Sequence, residues 1–178
     1  STAGIEAQAM LKKFSGGLGI GWFTGADFSI HKDETNTLTF GPIIQLGTDK
    51  TQVLLNPFFA RTFGRNREAG MEFAYAWAVK HEVREGFGLG IEGYGVIPNL
   101  ANSPSTAFQE HRIGPVIYLE RKLGDAKGHA KGLSVKDVGG ADRGGAEGPK
   151  FALEAGVLLG LTDGTQDVAF KLKGGITF

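Results

Sequence analysis

The chain has no cysteine, no long apolar run and no net charge, and each absence removes a class of protein. Without cysteine there is no disulfide framework, thiolate metal site or cysteine nucleophile, which is compatible with an oxidising compartment without requiring one. The longest apolar runs, Phe73 to Val79 and Gly156 to Leu161, fall far short of the roughly 20 residues of a spanning helix. Lys plus Arg and Asp plus Glu are 19 each, so no bulk field draws the chain to nucleic acid, and no nucleic-acid partner is expected. The chain starts at Ser1 without a signal-peptide pattern and reads as a mature or trimmed product.

Chemistry-bearing constellations are equally scarce. His31, His81, His111 and His129 lie in different segments without helical ligand spacing, so no metal site is expected. The few serines lie mostly in loops, which gives a Ser-His-Asp arrangement no support. Gly16-Gly17-Leu18-Gly19 and Gly86 to Gly90 lack the Lys-Ser/Thr ending of a phosphate loop, and no cofactor is expected.

What the sequence does have is glycine, 29 of 178 residues against a usual frequency of about 7%. Much of it sits inside segments that alternate strictly between bulky and small or polar residues. Such alternation is the period of a β-strand. Nine segments show it. The clearest sets Met71, Phe73, Tyr75, Trp77 and Val79 against Glu72, Ala74, Ala76, Ala78 and Lys80; another sets Phe87, Leu89 and Ile91 against Gly88, Gly90 and Glu92. The last sets Val168, Phe170, Leu172, Ile176 and Phe178 against Ala169, Lys171, Lys173, Gly175 and Thr177.

Turns rich in Gly, Asp and Asn separate the segments and imply antiparallel neighbours. Pro42, Pro57 and Pro115 fall within strand-like stretches and predict bulges or edges there. Gly17-Leu18-Gly19-Ile20 followed by Phe40-Gly41-Pro42, and Gly88-Leu89-Gly90-Ile91 followed by Ile113-Gly114-Pro115, form a weak internal repeat. Two long loops are expected, at 99–109 and at 124–149, the latter with eight glycines and mixed charge.

Alternation does not say which face points out; volume does. The interior of an eight- or nine-stranded barrel is only just wide enough to be filled by side chains. The bulky set is too large for it, whereas turned outward it meets acyl chains. The expected fold is therefore all-β: a single antiparallel up-and-down transmembrane β-barrel domain over 1–178, with about 8–10 strands in this chain, alone or as part of a larger barrel. Single-chain bacterial barrels normally have an even number of strands. Nine segments mean either that the first lies outside the wall or that further N-terminal strands belong to it.

On this reading the polar residues lining the lumen are Glu6, Asp27, Gln45, Asn56, Glu72, Lys80, Glu92, Tyr94, Arg112, Tyr118, Glu120, Glu154, Lys171 and Lys173. They form either a structural lattice of ion pairs or a polar constriction that selects solutes. Trp22, Tyr75, Trp77 and Phe178 are the expected interfacial aromatics.

Three segments carry a resemblance: Leu89-Gly90-Ile91-Glu92-Gly93-Tyr94-Gly95, Gln109-Glu110-His111-Arg112-Ile113-Gly114-Pro115-Val116, and Gly156 through Asp163 followed by the strand ending in Phe178. From about Gly19 to Phe178 the chain resembles a poorly characterised family of proteobacterial outer-membrane β-barrels, some loosely grouped with transporters linked to phenol degradation. The resemblance implies residence in the bacterial outer membrane, membrane lipid as a partner, and recognition of the C-terminal aromatic by the outer-membrane assembly machinery. It supplies no catalytic residues. Members of that family carry more N-terminal strands and a shorter counterpart of 124–149. The expected function is non-enzymatic, passage of a small solute or a role as an envelope component. The alternatives are a soluble lipocalin-like binding barrel and a lipid-modifying barrel enzyme.

Overall fold

A computed structural model describes residues 2–31, 34–123 and 149–177. Nine strands follow one another in a single antiparallel sheet whose spatial order equals chain order: β1 Thr2–Ser15, β2 Leu18–Ser29, β3 Asn36–Gly47, β4 Thr51–Phe63, β5 Glu72–Arg84, β6 Phe87–Ile97, β7 Glu110–Lys122, β8 Lys150–Gly160 and β9 Val168–Thr177. The sheet is an up-and-down half-barrel with β1 and β9 as its edges. The first alternating segment is part of it, since β1 pairs with β2 from Thr2↔Ser29 onward. No described helix is long and apolar enough to cross a membrane, which has no bearing on a crossing by strands.

The strands are 10 to 14 residues long, about twice the ordinary length in globular proteins. Hairpin geometry follows from glycine where the chain reverses most tightly. Gly16 and Gly17 close β1–β2 with φ of 62° and 83°, and Gly86 closes β5–β6 with φ 73°, conformations from which a Cβ is repelled. These tight turns share one rim with the 48–50 turn, where Thr48 N–H donates to the Thr51 carbonyl. Among the described residues the longer connections, such as 64–71 between β4 and β5 and 98–109 between β6 and β7, lie on the opposite rim. The expected loop at 99–109 is organised there by short 3-10 turns, Leu100–Asn102 and Thr106–Phe108, the first capped by Asn99, whose side chain accepts from the Ala101 and Asn102 amides. Residues 124–148 of the second expected loop lie outside the described residues, as does Phe178.

The prolines do not act as expected. Pro42, Pro57 and Pro115 sit in interior strands, and the β3–β4 register is the same on either side, Phe40↔Phe59 and Ile44↔Leu55. Pro42 and Pro57 fall opposite each other within that unpaired stretch, so two missing donors share one gap and no residue need be inserted. The register shifts occur elsewhere, at Met10/Lys12, Lys12/Ser15 and Glu82/Arg84. The first has a consequence for the polar face. Simple alternation puts Lys12 with Glu6, but the shift sets it opposite Ile20, on the bulky face.

Candidate functional site

The two faces of the sheet are chemically opposite. Ladder partners share a face, so the register places Lys80, Gly90, Val116, Gly156 and Lys171 in one row. On that face Val116, Glu92, Gln52, Leu158, Tyr118 and Ala60 are all buried. The other face leaves its large apolar groups open: Phe170 is 83% exposed, Leu172 77% and Ile91 50%. The first face is the concave one, because a side chain of β9 reaches one of β6 across it. On a flat sheet three ladder steps would separate those strands by about 14 Å.

That contact is the centre of the site. Lys171 Nζ donates to both carboxylate oxygens of Glu92, at 2.8 and 2.6 Å. Tyr118 OH donates to Glu92 Oε1 at 2.5 Å, and Tyr94 OH donates to Oε2. Lys171 also pairs with Glu154 Oε2 at 2.8 Å, with Lys173 further off at 4.0 Å. Lys80 stands 4.6 Å over the Tyr118 ring, a cation–π distance, and faces the charges of Glu120, Glu154 and Glu82. Five strands, β5 to β9, thus contribute to one network around a carboxylate that is 4% exposed. A buried carboxylate persists when its lone pairs are filled by charged and hydroxyl donors, as here.

Small residues make the room. Glu92 is opposite Ala78 on one side and Gly114 on the other, and Lys171 is opposite Gly156. A Cβ on Gly90 would stand 3.0 Å from the Tyr118 ring. On the convex face the same device serves the aromatics, since a Cβ on Gly93 or Gly95 would overlap the Trp77 or Tyr75 ring.

The remaining expected lumen residues lie on the concave parity but outside this network. Glu6 and Asp27 are exposed on β1 and β2. Gln45 is opposite Gly19 and Leu54. Asn56 is opposite Ala76, and its Oδ1 is buried without a hydrogen-bond partner among the described residues. Glu72 begins β5 opposite Ala60, and Arg112 pairs with Glu110 at 3.1 Å. Reading one face at a time missed Glu82 and Glu110, which alternation alone places beside Lys80 and Arg112. It also missed that the concave face is not polar throughout: Phe23 and Phe58 meet there with ring centroids 5.3 Å apart, and Ile43 and Leu54 have the same parity.

Charge sorts by face as well. Every acidic residue in a strand, Glu6, Asp27, Glu72, Glu82, Glu92, Glu110, Glu120 and Glu154, has concave parity. The charged residues paired on the convex face are Lys12, Arg61, Arg84 and Arg121, opposite Ile20, Leu38, Phe87 and Phe151.

An aromatic band crosses the convex face obliquely, from mid-strand at Trp22 on β2 to the long-loop rim at His111 on β7. Trp22, Phe40, Phe59, Phe73, Tyr75 and His111 follow one another at centroid distances of 5.3 to 6.5 Å. Trp22 and Tyr75 are members, whereas Trp77 lies one row deeper, over Gly93. His111 ties the band to the rim. Its Nδ1 is 2.8 Å from Tyr75 OH, its Nε2 is 3.0 Å from Gln109 Oε1, and its amide donates to Thr165 Oγ1. Among the described residues no three His, Asp or Glu side chains form a metal-binding group.

Comparison with known proteins returns no matching family model, no matching curated protein and no matching solved structure, so the function of this chain is argued from its own residues.

Proposed function

We propose that this chain forms wall of a bacterial outer-membrane β-barrel, with acyl chains against its convex face, and that its concave face lines a narrow polar route for small solutes. One observation carries this reading: Phe170 and Leu172 are 83% and 77% exposed on the convex face, while Glu92 and Tyr118 are 4% and 8% exposed on the concave one. In water the cheaper arrangement is the reverse. In a bilayer the observed one is favourable, because hydrocarbon solvates the apolar face and the polar groups satisfy one another inside.

Two further features support it. Strands of 10 to 14 residues suffice to cross about 30 Å of hydrocarbon when tilted. The Phe73, Tyr75 and His111 end of the aromatic band lies at the long-loop rim, where an aromatic girdle meets a headgroup layer. The family resemblance of the sequence points the same way. A soluble lipocalin-like barrel would need a polar exterior, which this convex face lacks. The reading is non-enzymatic, in keeping with hydroxyls and carboxylates that satisfy one another around Glu92.

The test is reconstitution of the refolded chain into planar bilayers. Discrete conductance steps for small ions are expected. A chain that inserts and folds yet conducts nothing over a range of solutes would remove the route and leave an envelope component.

A further inference from the structure

The separation of charge by face asks for more than hydrocarbon. A border between acyl chains and water accepts carboxylates as readily as ammonium groups, yet the convex face has no acid in any strand. At the short-turn rim it presents three bases, Lys12 on β1, Arg84 on β5 and Arg121 on β7, each exposed and each opposite an apolar residue. Arg84 lies with its guanidinium 5.5 Å over the Phe87 ring, so its stem is laid on the apolar belt and its head is free at the edge. None of the three makes an ion pair with a described residue.

We propose that Lys12, Arg84 and Arg121 form a collar for the anionic phosphates of lipid headgroups in the leaflet at the short-turn rim. This rests on the membrane-spanning reading above. Guanidinium and ammonium groups at a hydrocarbon edge are matched by phosphate, and no carboxylate in a strand on their own face repels it. The spacing identifies a surface rather than a single anion. β1, β5 and β7 are four and two ladder steps apart, about 19 and 10 Å along the sheet, so the three bases cannot converge on one small ligand.

The experiment measures partition of the refolded chain into vesicles of phosphatidylcholine alone and of phosphatidylcholine with phosphatidylglycerol, at low salt. The full chain is expected to enter both and to prefer the anionic vesicles. Replacing the three bases together (Lys12→Gln, Arg84→Gln, Arg121→Gln) should remove most of that preference, about fivefold per base, without changing entry into the neutral vesicles. The charge-keeping set Lys12→Arg, Arg84→Lys, Arg121→Lys should retain it. A full chain that enters neither vesicle overturns the membrane reading itself. A chain that enters both equally, or a glutamine variant that keeps the preference, overturns only the collar. So does loss of the preference in inorganic phosphate but not in chloride of equal ionic strength, which would mean a discrete anion site.

Discussion

The concave faces of β2–β4 and of β6–β9 are built from the same alternation and end in opposite chemistry. Around Phe23, Ile43, Leu54 and Phe58 the wall is apolar, and its rings are seated over glycine: a Cβ on Gly41 would stand 2.8 Å from Phe58, and one on Gly25 3.1 Å from Phe23. Around Glu92 the wall is charged, and glycine makes room for Tyr118 and Lys171 instead. The difference is between contacts that any apolar neighbour could replace and contacts that require a specific partner. Dispersion is non-directional and tolerates substitution by volume. A buried carboxylate with four donor contacts does not.

Six substitutions break or sharpen that contrast, measured as shifts in urea unfolding of the folded chain in detergent micelles. Lys171→Met should have the largest effect, about 3 kcal/mol, because it leaves Glu92 buried with only tyrosine donors. Adding Glu92→Gln to it should recover part of the loss, and no recovery would mean that the two residues are not coupled. Phe58→Ala, which removes the Phe23 contact from a half-buried position, should cost about 2 kcal/mol, below the range for fully buried rings. Gly41→Ala should cost roughly 1–2 kcal/mol through overpacking against Phe58 and the Pro57 carbonyl, whereas Gly174→Ala, whose nearest neighbour would stand 3.8 Å away, should be near neutral. Lys173→Gln should likewise be small, under about 0.5 kcal/mol, since its pairing at 4.0 Å is largely solvated.

Much of the architecture was legible in the sequence because a strand writes its two faces into alternate residues. Segments such as Met71 to Lys80 have no other periodic reading, and each of the nine segments corresponds to a strand. What alternation does not encode is register. The contact of Lys171 with Glu92 spans 79 positions of chain and depends on every intervening hairpin. Both residues were expected in the lumen, but nothing in the sequence joined them. The bulge that carries Lys12 to the convex face is equally silent, since Met10-Leu11-Lys12 alternates without a break. Proline misled for a related reason: each ring removes a donor, but only the register reveals that Pro42 and Pro57 share one gap. The apolar concave patch was legible in principle, as Phe23 and Phe58 have the parity of Gly25 and Asn56. Bulky residues on the small side of an alternation are easily passed over when the two faces are sorted by size.

The most direct test of hydrocarbon against the convex face uses the chain's two tryptophans, Trp22 and Trp77, both of which lie there. In vesicles whose acyl chains carry bromine, the account predicts strong quenching of both, since each lies mid-strand. Emission from a folded, vesicle-bound β-sheet that bromine at any depth leaves unquenched would contradict it.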